Sequence, residues 1–231
     1  MKCVWIILQK QWQDIWKNKA VLIQFIMFPI MAVIMKNSVQ IDGMPANFFV
    51  NLFASMYVGM APLVSISSII SEEKEKNTLR VLIMADVTPK QYLLGVGCYV
   101  FGACMFGAII FCCLLDGAAG TEKILFLSIM AVGIIASILL GAAVGVGSKN
   151  QTEAVSVSVP VMMIFSFLPM LSMFNEVIAK IAKVTYSEQV HILVESLGDG
   201  RILIDAIAVI VANMLVFAGL FWILYRKKGL A

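Results

Sequence analysis

Residues 48–82 read FFVNLFASMYVGMAPLVSISSIISEEKEKNTLRVL, an apolar run that passes directly into a short charged segment. The apolar part, residues 48–70, is long enough for a helix of about 20 residues to cross the hydrocarbon core of a bilayer. The charged segment, residues 71–82, holds three glutamates, two lysines and one arginine. A membrane-crossing helix that ends in so much charge predicts a surface that meets a soluble partner.

Composition places the whole chain in a membrane. The chain has 231 residues, of which 61% are hydrophobic and 13% are charged, whereas soluble domains are about one quarter charged. A single histidine excludes a multi-histidine metal site, and five cysteines without a pairing pattern predict small apolar side chains instead of disulfides. The net charge of +3 is spread over the segments between apolar runs, which does not indicate nucleic-acid binding.

The apolar runs predict an all-α integral membrane protein that forms a single domain over residues 1–231. Residues 1–19 carry Trp5, Trp12 and Trp16 at helical spacing and predict an interfacial amphipathic helix. Residues 175–201 predict short outer helices between the fifth and sixth spans. The six predicted transmembrane helices cover residues 20–35, 48–70, 91–115, 124–146, 154–174 and 202–225.

Lysine and arginine placement predicts the orientation in the membrane. With the N-terminus inside, twelve of these residues lie in cytoplasmic segments and five lie outside. Because positive charge accumulates on the cytoplasmic side, we expect both termini and residues 71–90 in the cytoplasm and residues 175–201 outside.

Capping patterns predict several helix ends. Thr88 and Gln91 flank a proline and predict a capping box at the start of the third span. Thr185 and Glu188 predict a similar box, and Asn175 predicts another N-cap. In the charged segment, Glu72 and Lys76 have the i,i+4 spacing that supports a helical turn, and Asn77 is predicted to end that helix in the left-handed conformation.

The spans carry no charged residue near their middles, which disfavours a carrier driven by protons or ions. Their polar residues have two interpretations. They can bond helices together, or Gln24, Asn51, Ser55 and Asn213 can line a substrate path. No lysine is followed by serine or threonine, so no phosphate-binding loop is predicted. No catalytic or metal-binding set is evident, and His191 is interpreted as a surface residue of an outer helix.

The charged segment and the residues after it carry a family resemblance. The runs EEKEKNTL, residues 72–79, and VTPKQYLLG, residues 87–95, resemble the signature of ABC-2-type permeases, the membrane subunits of ATP-binding-cassette exporters. The interfacial helix, six spans and outer helices extend the resemblance to the whole chain. Three positions depart from the family pattern: Asn77 replaces a glycine, Arg80 stands where an acidic residue is common, and Val96 replaces a lysine.

The resemblance implies that this segment is a coupling helix seated in a groove of a separate ABC ATP-binding subunit. That subunit would bind ATP and Mg²⁺. This chain is then expected to bind no cofactor and to have no catalytic site. The implied arrangement is two permeases, as a homodimer or with a related permease, among the lipids of the bacterial cytoplasmic membrane, exporting an amphipathic or hydrophobic peptide, antibiotic or lipid-like substrate. The alternative is an ATP-independent secondary carrier or a membrane assembly factor. The residues implied to contact the ATPase are Glu72, Glu73, Glu75, Lys76, Asn77, Thr78, Leu79 and Arg80.

Overall fold

A computed structural model describes residues 19–39, 45, 47–78, 84, 88–197 and 203–228. Throughout these ranges the regular structure is helical and contains no strand, which confirms the all-α prediction. The interfacial helix predicted for residues 1–19 lies outside them, apart from Lys19. The principal helices of the described part are α1 (Lys19–Ser38), α2 (Phe48–Glu75), α3 (Pro89–Cys113), α4 (Gly120–Gly147), α5 (Gln151–Ser172), α6 (Glu176–Ala182), α7 (Tyr186–Ser196) and α8 (Ile204–Lys228).

Five of the described helices are long and apolar enough to cross a membrane, namely α2, α3, α4, α5 and α8. The apolar part of α1 that the structure describes, Phe25–Ser38, is shorter than the five spans. The chain is therefore a multi-pass membrane protein, and the sixth span stays a prediction. Helix α2 extends beyond the predicted span through the first charged residues, because nothing before Asn77 interrupts the helical backbone.

Helix α2 is the central element of the bundle. It is almost entirely buried and packs most extensively against α4 and α5. Small residues permit this packing. A β-carbon at Gly59 of α2 would lie 2.6 Å from the carbonyl oxygen of Phe165, and one at Gly145 of α4 would lie 2.9 Å from that of Ser67. In a bilayer, such close backbone approach supplies the van der Waals contact that holds helices together.

Serine side chains join α2 to α5 inside the bundle. The hydroxyl oxygens of Ser67 and Ser158 are 2.8 Å apart, and the Ser166 hydroxyl donates to the carbonyl oxygen of Met56 at 2.9 Å. These bonds favour the interpretation that polar residues of the spans link helices, since each hydroxyl has found a partner on another helix.

Contacts between helix ends define two ends of the bundle. At the end where α2 finishes, called here the charged end, α2 contacts the start of α3, the end of α4 and the start of α5. At the opposite end, Lys36 of α1 forms a 2.8 Å ion pair with Asp116, and Asn47 exchanges hydrogen bonds with the backbone of Asp116. Helices α1 to α5 therefore alternate in direction, as the predicted topology requires.

Helices α6 and α7 form a hairpin that enters the bundle from the opposite end. Asn175 caps α6 as predicted, since its side-chain oxygen accepts from the N–H groups of Val177 and Ile178. The capping box predicted at Thr185 and Glu188 is wrong. The Thr185 hydroxyl donates to the carbonyl oxygen of Ala182, and Glu188 accepts from Ser172, so both side chains serve the hairpin's packing instead.

Candidate functional site at the charged end of the bundle

Helix α2 ends in a sharp backbone turn inside the charged segment. The N–H of Lys76 donates to the carbonyl oxygen of Glu72 at 3.0 Å, and that of Asn77 donates to the carbonyl oxygen of Lys74 at 3.1 Å. Asn77 has a φ of 54°, which confirms the predicted left-handed conformation. Asparagine adopts this conformation more readily than most residues because its short polar side chain bonds locally. Thr78 is described just after the turn, whereas Leu79 and Arg80 lie outside the described residues.

Three successive residues before this turn each hold a different helix. The hydroxyl of Tyr92 in α3 donates to the Glu73 carboxyl group at 2.6 Å. Lys74 donates through Nζ to the carbonyl oxygen of Val146 near the end of α4, at 3.2 Å. Glu75 accepts from the N–H of Gln151 at the start of α5, at 2.9 Å.

The chemistry of these bonds matches the helix ends that they reach. The last carbonyl groups and the first N–H groups of a helix have no partner within the helix. The C-terminal end of α4 is partly negative and attracts an ammonium group, while the N-terminal end of α5 is partly positive and attracts a carboxylate. The order Lys74, Glu75 therefore places each charge at the helix end that favours it.

The bond to α3 is the most enclosed of the three. Glu73 is 5% exposed and Tyr92 is 1% exposed. The capping box predicted at Thr88 is confirmed: the Thr88 side chain accepts from the N–H of Gln91, whose side chain accepts from the N–H of Thr88. Because this box fixes the first turn of α3, it also fixes the position from which Tyr92 reaches Glu73.

The remaining charged residues of this turn face outward. Glu72 and Lys76 form the predicted i,i+4 ion pair, with side chains that are 33% and 66% exposed. Glu75 and Asn77 are also exposed. Among the predicted partner-binding residues that the structure describes, Glu75, Lys76 and Asn77 are exposed, Glu72 and Thr78 are partly exposed, and Glu73 is enclosed within the bundle.

The residues predicted to line a substrate path do not form one group in the described part. Asn51 lines a cavity of about 650 Å³ at the opposite end, together with Asp116, Glu122 and Glu195. Asn213 donates to the carbonyl oxygen of Val184, in the turn between α6 and α7. The side chain of Gln24 lies outside the described residues.

The prediction that His191 is a surface residue is wrong. The Ser55 hydroxyl is 3.5 Å from His191 Nδ1, deep in the contact between α2 and α7. His191 is 3% exposed, so it is a core residue and not a surface residue. Helix α7 is too short to cross the membrane. Burial lowers the pKa of His191, and the carboxyl group of Glu195, 3.8 Å from Nε2, opposes that shift.

The sequence pattern did not single out Tyr92 or Gln151 as partners of the charged segment. Tyr92 belongs to a helix start that the sequence located, whereas the fifth span was predicted from residue 154 and α5 begins at Gln151. Only the packing of α3 and α5 against α2 brings the two residues to Glu73 and Glu75. Among the described residues, no cluster of histidine, cysteine or acidic side chains could hold a metal ion.

Comparison with known families covers nearly the whole chain. Residues 7–225 match the model of a family described as "ABC-2 family transporter protein". No curated protein matches the chain.

Proposed function

Because the chain belongs to the ABC-2 family of transporter proteins, we propose that it is the permease subunit of an ATP-binding-cassette exporter. Members of this family are membrane components of transport and are not themselves catalytic. In the proposed complex a separate subunit binds ATP and Mg²⁺ and hydrolyses the nucleotide. This chain supplies the path for an amphipathic or hydrophobic substrate, such as a peptide, an antibiotic or a lipid-like molecule.

The observation that carries this proposal is the attachment of three helices to three successive residues at the end of α2. A partner that displaced the charged segment would pull on α3 through Glu73, on α4 through Lys74 and on α5 through Glu75. Since α2 is nearly enclosed by its neighbours, its displacement would also shift the helices that pack along its length. Motion of one short segment would thus be passed to four spans.

The exposed residues of the charged segment form the proposed docking surface for the ATP-binding subunit. Glu75, Lys76 and Asn77 are exposed and Glu72 is partly exposed at this end of the bundle, and Thr78, Leu79 and Arg80 follow in the sequence. In the proposed assembly, two permease subunits pair within the bacterial cytoplasmic membrane, with both termini and the charged end facing the cytoplasm.

The test uses two tyrosines that each donate one buried hydrogen bond. Tyr92→Phe removes the bond to Glu73 at the charged end, whereas Tyr57→Phe removes a 3.2 Å bond to the carbonyl oxygen of Cys104 within the spans. We expect both variants to insert and to co-purify with the ATP-binding subunit. A bond to a charged group contributes about 1.5–3 kcal/mol, so Tyr92→Phe is expected to reduce permease-stimulated ATPase activity about tenfold, with Tyr57→Phe near wild type.

A third variant addresses docking itself. Charge reversal by Glu72→Lys is expected to abolish co-purification of the ATP-binding subunit while leaving membrane insertion intact. Equal ATPase stimulation by the two tyrosine variants would refute the coupling role of Glu73. Transport by the chain in liposomes that contain no ATP-binding subunit would favour an ATP-independent carrier instead.

A further inference from the structure

The cavity of about 650 Å³ at the end opposite the charged end is rich in carboxyl groups. It is called here the acidic cavity, because Asp116, Glu122 and Glu195 line it and its described lining includes no lysine, arginine or histidine. Its volume falls within the range of about 300–1,000 Å³ that is usual for small-molecule sites. Phe48 and Phe126 also line it, so the cavity combines carboxyl groups with an apolar wall.

The positive charges around the acidic cavity neutralise only part of its acid. Lys36 forms a 2.8 Å ion pair with Asp116. Among the described residues, neither Glu122 nor Glu195 forms an ion pair with a lysine or an arginine. Glu122 accepts the N–H of Ala119 at the start of α4, a bond that leaves its charge in place. The described wall therefore carries more negative than positive charge.

Two more lysines lie near this end without lining the cavity. Lys123 follows Glu122 in the sequence, and Lys183 lies in the turn between α6 and α7. The charge of Lys183 acts on the buried carboxyl group of Glu188, where it opposes a pKa that is raised first by burial and also by the charge of Glu195. Lys183 thus faces an acid of its own and does not neutralise the cavity.

The bonds of His191 determine which of its ring nitrogens carries the proton. Nδ1 is 3.5 Å from the hydroxyl oxygen of Ser55, which gives its own proton to the carbonyl oxygen of Leu52 at 2.7 Å. Ser55 can therefore only accept from Nδ1. Burial lowers the pKa of His191, and a hydrogen bond with the backbone of Asn51 opposes that shift, which is the effect of a bond that the imidazole donates. Nδ1 therefore carries the proton of the neutral ring.

This tautomer leaves Nε2 of His191 as an acceptor without a donor. Among the described residues Nε2 has no hydrogen-bond partner, and it lies 3.8 Å from a carboxyl oxygen of Glu195, on the wall of the cavity. His191 is 3% exposed, so two acceptors face each other where the imidazole is enclosed. Oδ1 of Asn51, on the same wall, is also buried without a donor. Because buried polar groups are normally hydrogen-bonded, this wall selects a ligand that donates.

A primary ammonium group matches these acceptors in chemistry and in charge. It carries three N–H donors and no acceptor, and its charge neutralises the Glu195 carboxylate. A metal ion fits less well, because no three histidine, cysteine or acidic side chains of the described residues are grouped to hold one. Water can donate to the same atoms, but it leaves the carboxylate charge in place. Aromatic rings such as Phe48 and Phe126 suit an apolar group attached to a cation.

We infer that the acidic cavity binds the primary ammonium group of an amphipathic amine, which donates to Nε2 of His191, to the Glu195 carboxylate and to Oδ1 of Asn51. This inference rests on the proposed function and narrows its substrate class to amphipathic amines. Since the cavity lies at the end opposite the proposed docking surface, it would hold the substrate on the side of the membrane to which it is exported.

The single histidine of the chain provides a direct readout of this contact. The full chain, purified without a histidine tag and labelled with nitrogen-15 at histidine, is placed in phosphatidylcholine nanodiscs without an ATP-binding subunit. The probe is octylammonium, compared with octanol and with octyl trimethylammonium, which has the charge but no N–H group. We expect octylammonium to bind at least about tenfold more tightly than the other two, because charge-assisted hydrogen bonds are the stronger kind. It should also shift the Nε2 resonance of His191, which we expect to be unprotonated before the probe is added.

A matched pair of variants separates the cavity from the rest of this end. Glu195→Gln removes one carboxylate from a side chain that is 53% exposed, so the fold should tolerate the change. This variant should lose the preference for octylammonium and the probe-induced shift of His191. The control Glu176→Gln removes an exposed carboxylate of α6 that does not line the cavity, and it should keep both.

Three results would overturn the inference. The first is equal binding of the three probes by the wild type. The second is an Nε2 that is already protonated without the probe, since an ion pair with Glu195 would then satisfy both groups. The third is displacement of octylammonium by an equal concentration of Ca²⁺, which would assign the cavity to an inorganic cation. Because no ATP-binding subunit is present, these results leave the test of coupling at Glu73 unaffected, and failure of that test leaves the binding result intact.

Discussion

Replacing Gly59 by alanine tests whether the close contact between α2 and α5 holds the bundle together. The added β-carbon would lie 2.6 Å from the carbonyl oxygen of Phe165, 2.7 Å from its carbonyl carbon and 2.8 Å from Cα of Ser166. Carbon atoms in contact normally stand about 3.5–4.0 Å apart. All three atoms belong to backbone, so no side chain can rotate away, and we expect α5 to move outward by about 1 Å.

The cost follows from that displacement. A gap of about 0.5–1 Å forfeits a quarter to a half of the dispersion energy of each affected contact, and the hydrogen bond from Ser166 to Met56 would lengthen with it. Overpacked positions typically lose about 1–3 kcal/mol. Because backbone faces backbone here, we expect Gly59→Ala to lower the free energy of unfolding by about 2–3 kcal/mol.

Unfolding in mixed micelles, followed by circular dichroism during titration with sodium dodecyl sulfate, measures this loss. Gly102→Ala and Gly219→Ala are matched controls. Apart from the adjacent residues and the backbone of the same helix, no heavy atom lies within 4 Å of a β-carbon at either position. Both controls should be neutral or slightly stabilising, since alanine is favoured over glycine in a helix by about 0.5–1 kcal/mol. Equal unfolding free energies for Gly59→Ala and Gly102→Ala would refute the reasoning.

Two further predictions use the same unfolding measurement. Asn77→Ala should cost about 1 kcal/mol, because alanine resists the left-handed backbone, while Asn77→Gly should be neutral; identical values for the two variants would contradict the strain argument. Ser67→Ala and Ser158→Ala should each cost about 0.6 kcal/mol, the average for a hydrogen bond between membrane helices, and the double variant should cost little more than either. Additive losses would mean that the two hydroxyls do not bond to each other.

Local sequence signals correctly predicted those helix ends that are fixed by residues within a single turn. Thr88 and Gln91 form their capping box within a single turn, and Asn77 ends α2 by its own backbone preference. The prediction at Thr185 was wrong because the surroundings offered better partners. The Thr185 hydroxyl donates to the carbonyl oxygen of Ala182, and the Glu188 carboxyl group accepts from Ser172. A capping pattern in the sequence shows neither of these partners.

By itself the sequence determined that this chain is a helical membrane protein, where its apolar helices lie and where its charge gathers. These properties depend on hydrophobicity, length and local capping, which are set by residues close together in the sequence. Only the tertiary structure decided what the charges do. It enclosed Glu73 beside Tyr92, set Glu75 on the start of α5 and buried His191. Such outcomes depend on contacts between residues far apart in the chain, because the same glutamate can face a partner or a neighbouring helix according to how the spans pack.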